Sequence, residues 1–296
     1  MKRILFVLTF VLVLFNGCTG KEAIEVTSEK EYVVIALLDT GISRVAIDET
    51  RILPGYNYVE NTENTEDKIN HGTAVASVIV GSAPAKIEGI APEALLVPLV
   101  VTTKEKDGSI RSVTPDILAQ IIYDSVDIYK ADIINISLGI KKDEIKIKEA
   151  IDYAYINGVT VISAAGNDGD DESLYYPAAY DTVLAVGSHN DKGELSDFSQ
   201  RNRTADILAP GEDIWLASRN GKTYGARGSS YATAYAAAAA ARLLAYDSDL
   251  TPDKIREILI DTATEMIEEA DGTGYLVPVL NLEEALKYIS ELVNTQ

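Results

Sequence analysis

The chain is poor in three things that each narrow what it can be: it has one cysteine, two histidines, and only 26 basic residues against 46 acidic ones. A single cysteine rules out any intramolecular disulfide. With two histidines, a reaction that needs a neutral imidazole as base near pH 7 has to use His71 or His189. The shortage of positive charge leaves a net charge of -20, which repels phosphate backbones and anionic lipid headgroups. Nucleic acid is thereby excluded as a partner and so is electrostatic membrane attachment, whereas basic peptides would be drawn in. Internal repeats are absent, as is any Pro/Gly/Ser-rich linker that would divide the chain. With 47% hydrophobic and 24% charged residues over 296 positions, one large domain with a full core is expected.

What is present begins at the N-terminus. Lys2 and Arg3 precede an apolar run over 4–15 that only Thr9 interrupts, and Asn16, Gly17 and Cys18 follow. A charged start, a short apolar stretch and a small residue form a secretory signal, and the run is too short for a comfortable transmembrane helix. Leu14-Phe15-Asn16-Gly17-Cys18 resembles a bacterial lipobox, with Phe15 and Asn16 departing from the commonest residues there. The resemblance implies cleavage before Cys18 and diacylglyceryl attachment to its sulfur, giving a membrane-anchored lipoprotein on the extracellular face or in the periplasm. Ordinary secretion and an uncleaved anchor are the alternatives. Residues 1–17 are thus expected to be a signal peptide, 18–31 a polar tether too short for a folded pro-domain, and 32–296 the functional domain. Without Lys2 and Arg3 the mature chain has 24 basic and 46 acidic residues, a net charge of -22.

Continuous apolar, partly β-branched runs over 32–38, 94–101, 132–138, 159–165, 183–187 and 205–209 read as buried parallel strands. Helical patterns lie between or after them at about 72–80, 115–129, 144–157, 231–246, 252–262 and 282–292. This alternation predicts an α/β fold: a doubly wound, mostly parallel sheet with helices on both faces.

Several short stretches carry chemistry. The first strand delivers Asp39, in Asp39-Thr40-Gly41, to a carboxyl end, where such folds place their sites. Asp-Thr-Gly also marks aspartic proteases, but those need two facing carboxylates and the chain has no second Asp-Thr-Gly or Asp-Ser-Gly. His71 opens a helix of small residues, while His189 reads as part of a solvated turn. Asn167 ends the strand VISAAGN, where its carboxamide can cap a turn or donate to a developing oxyanion. Ser230 stands at the entry to an alanine-rich helix. There it is a capping serine or a nucleophile beside unpaired N–H groups and the positive end of a helix dipole.

Together, Asp39-Thr40-Gly41, His71-Gly72-Thr73, Ser137-Leu138-Gly139, Ala164-Ala165-Gly166-Asn167, Ala209-Pro210-Gly211 and Gly228-Ser229-Ser230-Tyr231-Ala232-Thr233 resemble the subtilisin-like serine proteases, in that family's Asp, His, Ser order. The resemblance implies Ser230 as nucleophile, His71 as general base and then acid, Asp39 as the carboxylate that orients the imidazole, and Asn167 as oxyanion donor. It also implies that Ser137, Leu138, Gly139, Ala165 and Gly166 line the pocket for the residue before the scissile bond, and that Gly108 helps form an edge strand for substrate pairing. Ala234-Tyr235 replaces the family's usual Pro-His, and the loop 81–87 has a lysine in place of the Asn-rich oxygen donors of the family's tight calcium site. That calcium site is expected to be absent, and no cofactor is expected. Partners would be a protein or peptide substrate and the lipid anchor, with the enzyme a monomer. Two specificities stay open: Asp168, Asp170, Asp171 and Glu172 would favour basic residues near the cut, whereas a Tyr175 that narrows the pocket would favour small ones. A protease dedicated to maturing one exported precursor, such as a lanthipeptide leader, and an inactive peptide-binding pseudoprotease are the rival functions.

Overall fold

The six apolar runs become strands of one nine-stranded sheet, made of β1 (Val34–Asp39), β2 (Tyr56–Asn57), β3 (Leu95–Val100), β4 (Ile133–Ile136), β5 (Thr160–Ala164), β6 (Leu184–His189), β7 (Ile207–Pro210), β8 (Thr264–Glu268) and β9 (Tyr275–Val279). The structure, a computed structural model, describes residues 32–170, 172–202, 204–268 and 275–293, with backbone alone at 265–268 and 275–277. The expected signal peptide, Cys18 and the tether lie outside these residues. Strand order is β8-β9-β7-β6-β5-β4-β1-β3-β2. Every neighbouring pair is parallel except β8 with β9, the antiparallel pair at one edge.

Successive side chains of β1 alternate between two cores, Ile35 and Leu37 on one face and Ala36 and Leu38 on the other, so a strand buried on both sides has to be apolar throughout. The first core is covered by α1 (Gly72–Val80), α4 (Ser229–Tyr246), α5 (Pro252–Asp261) and α6 (Leu282–Val293). The second is covered by α2 (Pro115–Asp127) and α3 (Ile145–Ile156). Local sequence sets two of the helix starts: the Thr114 and Thr251 hydroxyls accept from the amides of Ile117 and Lys254, and Pro115 and Pro252 follow where a missing N–H costs nothing. In α4 the alanines of 236–241 are all at most 2% exposed, and their methyl groups let this helix lie close over β4, β5, β6 and β7.

The chain leaves β1 through α1 on one face and reaches β4, on the other side of β1, through α2 on the opposite face. That makes the carboxyl end of β1 a topological switch point, where an open parallel sheet has its crevice. Asp39 closes β1, Ser137 follows β4 and Ala165 follows β5, so three of the predicted motifs open on the same side.

Three short hairpins escaped the sequence reading: Gly81–Ser82 with Ile87–Glu88, Thr102–Lys104 with Ile110–Ser112, and Ile214–Ala217 with Thr223–Ala226. Their strands are two to four residues long and mostly polar or mixed, so no apolar run marks them. His189 also differs from expectation. It is the last residue of β6, paired with Pro210 and bridged to Leu195, and the solvated turn begins only at Asn190. Partial burial pushes its imidazole below the ordinary value of 6.5, and its carbonyl accepts from the amide of Gly211 at 3.2 Å, beside the Ala209-Pro210-Gly211 motif.

Candidate active site

Asp39 is placed by the end of β1 and is 4% exposed, with the amide of Thr40 donating to its Oδ1 at 2.7 Å. The start of α1 is pressed directly against this turn. A Cβ on Gly72 would stand 2.2 Å from the carbonyl oxygen of Gly41, so a side chain at that position would push the helix off the strand end. This close approach brings His71, just ahead of the first turn of α1, onto the carboxylate. Its Nδ1 lies 2.8 Å from Oδ1 and 3.0 Å from Oδ2 of Asp39. A carboxylate only accepts, so Nδ1 carries the hydrogen and the lone pair of the neutral ring is on Nε2. Burial disfavours the imidazolium, but the charge and hydrogen bond of Asp39, with Asp67 behind it, outweigh burial and raise the His71 pKa above 6.5.

Asp67 is a residue that the sequence reading missed. It is 1% exposed and accepts five hydrogen bonds: from Thr40 Oγ1 (2.9 Å), the amides of Ile69 (2.9 Å), Asn70 (2.8 Å) and Thr73 (3.0 Å), and Thr73 Oγ1 (2.7 Å). Thr40 Oγ1 in turn accepts from the amide of Gly72 at 2.8 Å. One buried carboxylate thus ties the Asp39 turn to the first turn of α1 on both sides of His71. The available signal was its place four residues before His71, in a polar loop where an Asp accepts amides two and three residues on.

Ser230 is the second residue of α4 and is 7% exposed. Its Oγ donates to the Ser137 carbonyl at 3.2 Å, and Ser137 Oγ donates back to the Ser230 carbonyl at 3.2 Å. The hydroxyl hydrogen is therefore engaged by Ser137 and not by His71; transfer to Nε2 requires the hydroxyl to leave that carbonyl, a change common on substrate binding. The ring of Tyr231 lies 5.8 Å from the His71 ring, centroid to centroid, and packs the imidazole from the helix side. Ser229 is fully buried with its hydroxyl unpartnered, so it cannot serve in place of Ser230.

Asn167 is exposed at the end of the loop after β5. Its Oδ1 accepts from the amide of Ser229 at 2.8 Å. A backbone amide can only donate, which fixes the carboxamide: Oδ1 faces α4 and the Nδ2 hydrogens face away from that amide. Asp39, His71, Ser137, Asn167 and Ser230 thus converge from five elements, with the positive end of α4 beside Ser230.

The remaining candidates divide. Leu138 and Gly139 continue the loop from Ser137, and Gly166 precedes Asn167. Ala165 is fully buried, so its methyl belongs to the core and does not line an open pocket. Gly108 differs from expectation in its place. It is in the turn between Thr102–Lys104 and Ile110–Ser112, at φ +90°, with open space where a Cβ would be, and not in a strand. A Lys-Asp-Gly-Ser sequence makes the reversal there, and the left-handed φ needs the glycine. In the loop 81–87, Ser82 donates to the Ala46 carbonyl and Lys86 to the Ala83 carbonyl, closing a tight hairpin. Among the described residues no group of three or more His, Cys, Asp or Glu side chains is arranged to hold a metal ion.

Comparison with known proteins agrees with this geometry. Residues 30–275 match the model of the subtilase family, Peptidase_S8. The major intracellular serine protease of Bacillus subtilis is 37% identical over 235 residues, 75% of this chain and 72% of that protein. The minor extracellular protease Epr of the same organism is 32% identical over 265 residues, 88% of this chain but 38% of that longer protein. Among solved structures, the prenylagaramide maturation protease PagA superposes with a TM-score of 0.73 at 28% identity, covering 88% of this chain and 94% of the other.

Proposed function

The chain belongs to the subtilase family, whose members are serine endopeptidases, and on that premise we propose that Asp39, His71 and Ser230 hydrolyse peptide bonds through an acyl-enzyme. Ser230 Oγ attacks the scissile carbonyl carbon while His71 Nε2 takes its proton; the same proton then goes to the leaving amine as the C–N bond breaks. Water repeats the sequence on the ester, releasing the acid and restoring Ser230. The Nδ2 hydrogens of Asn167 and the first-turn amide of Ser230 receive the negative charge that develops on the carbonyl oxygen. The observation that carries the assignment is the grip of both Asp39 oxygens on His71 Nδ1, which sets the tautomer and favours the imidazolium formed during attack. Treating the protein with a fluorophosphonate should add one phosphonyl group, found by peptide mass spectrometry on Ser230. No adduct, or an adduct elsewhere, would return the chain to the pseudoprotease reading.

The likeness to a maturation protease favours a narrow physiological role, trimming one precursor, over general digestion. The N-terminal pattern ending in Cys18 supports action outside the cytoplasmic membrane by a lipid-tethered enzyme. In cells, Cys18→Ser should move the protein out of the detergent-soluble membrane fraction; retention there by the variant would refute the tether.

A further inference from the structure

In an extended substrate held for attack, the carbonyl carbon sits about 3 Å from Ser230 Oγ with its oxygen turned to Asn167. The Cα of the residue before the cut is one bond from that carbon, about 1.5 Å away. Its side chain therefore enters the slot between the loop after β4, whose Ser137 carbonyl is 3.2 Å from Ser230 Oγ, and the loop after β5, which ends in Gly166 and Asn167. That slot is occupied. A Cβ on Gly139 would come within 3.0 Å of Tyr175 Cδ1, and a Cβ on Gly166 within 2.5 Å of Cδ2 and 2.8 Å of Cε2. Cδ1 and Cδ2 are opposite edges of one ring, so the Tyr175 ring spans the slot from one glycine wall to the other and leaves no space for a methyl group on either.

The ring is also fixed. Its hydroxyl donates to Asp168 Oδ2 at 2.8 Å, and Lys141 pairs with the same oxygen at 2.5 Å while lying 5.3 Å over the ring centroid. The next residue, Tyr176, makes a reciprocal backbone pair with Ile140, the residue after Gly139, at 2.8 and 2.9 Å. Behind it Gln200, 3% exposed, accepts from the amides of Asp168 and Gly169 and donates to Asp170 Oδ1 and the Ser173 carbonyl. Two carboxylates of the acidic loop are engaged here: Asp168 by Lys141 and Tyr175, and Asp170 by Ser173 and Gln200.

Resting on the assignment of Ser230 as nucleophile, we propose that Tyr175 is a built-in plug of the primary specificity pocket, so that the enzyme cuts after glycine, alanine or serine and rejects aromatic, long aliphatic and basic side chains at that position. Selectivity arises by exclusion. A side chain beyond Cβ has to displace a ring held by a hydrogen bond and a cation on a backbone anchored at the next residue, and the two carboxylates beside the ring, Asp168 and Asp170, already have partners.

The test uses the full mature chain and fluorogenic peptides that differ only in the residue before the cut: Ala, Ser, Leu, Phe and Arg. Wild type is expected to favour Ala over Phe in kcat/KM by about 100-fold. Tyr175→Ala, once thermal unfolding shows it folded, should raise the Phe-to-Ala ratio by a similar factor, and Tyr175→Val should move it part of the way if the smaller residue does not fold. Tyr175→Phe keeps the ring and should keep the preference. Wild-type protein that takes the fluorophosphonate on Ser230 yet cleaves Phe- or Arg-ending peptides as readily as Ala-ending ones overturns the plug alone, as does an unchanged ratio in the opened variants. Wild-type protein that takes no fluorophosphonate overturns the serine-protease reading and the plug with it.

Discussion

Ser230→Ala is expected to lower kcat on a good peptide substrate by a factor on the order of 10⁶, the loss that subtilisin itself shows when its serine is removed, while KM changes little. Loss of the oxygen removes the covalent route but leaves Asn167, the first-turn amides of α4 and the binding walls in place, so a residual rate above that of water should persist. Burst-phase and steady-state assays would check this; a loss of less than about 100-fold would mean that another group attacks. The pH profile of wild type gives a companion result. The base must be neutral, so kcat/KM should fall as pH drops through the His71 pKa, which Asp39 holds above 6.5 against the opposing effect of burial. In Asp39→Asn the acid limb should move to lower pH as activity collapses. The same shift has a sign for folding. A histidine whose folded-state pKa is raised stabilises the fold fully below its unfolded value, and that contribution fades as pH rises through the folded-state value.

Asp67→Ala is expected to be the most damaging substitution outside the reacting groups. It strands three backbone amides and two hydroxyls that all point at one carboxylate, and the Thr73 amide and hydroxyl are fully buried. Leaving such a set without its acceptor should cost about 3–5 kcal/mol, read as a fall in Tm of roughly 10 °C. Because Asp67 holds the turns on either side of His71, the imidazole should also lose its register. A drop in kcat/KM of about 100-fold, larger than the change in KM, is expected in the protein that remains folded. Calorimetry with kinetics below the transition decides the matter: an unchanged Tm would show that water replaces the carboxylate and that the network is incidental.

The contrast between Asp67 and Asp39 shows what could be read from the sequence. Asp39 ends a continuous apolar run, so its place at a strand terminus follows from the pattern around it. The helix after His71 and the alanine helix after Gly228 were equally visible, because burial on a sheet demands small or apolar residues over several turns. Asp67 sits in a polar stretch whose shape comes from its own hydrogen bonds to Thr40 and Thr73, and a side chain that organises a loop leaves no periodic trace. Gly108 and His189 failed for a related reason: whether a residue belongs to a short hairpin or to the turn beside it depends on a pairing partner elsewhere in the chain. Tyr175 was visible as a candidate, yet the choice between small and basic preferences needed to know that Asp168 is already bound to Lys141.

The alanine surface of α4 also bears on how exactly repeatable the site is from molecule to molecule. An alanine has no χ angle, so from 236 to 241 the helix side of its contact with the sheet is ordered at no cost in side-chain entropy. Most cores register a helix through side chains that exchange rotamers, and its position is then an average over their states. Here the helix that carries the nucleophile brings no rotamers of its own to the contact over those six residues, and only the sheet side chains beneath them do.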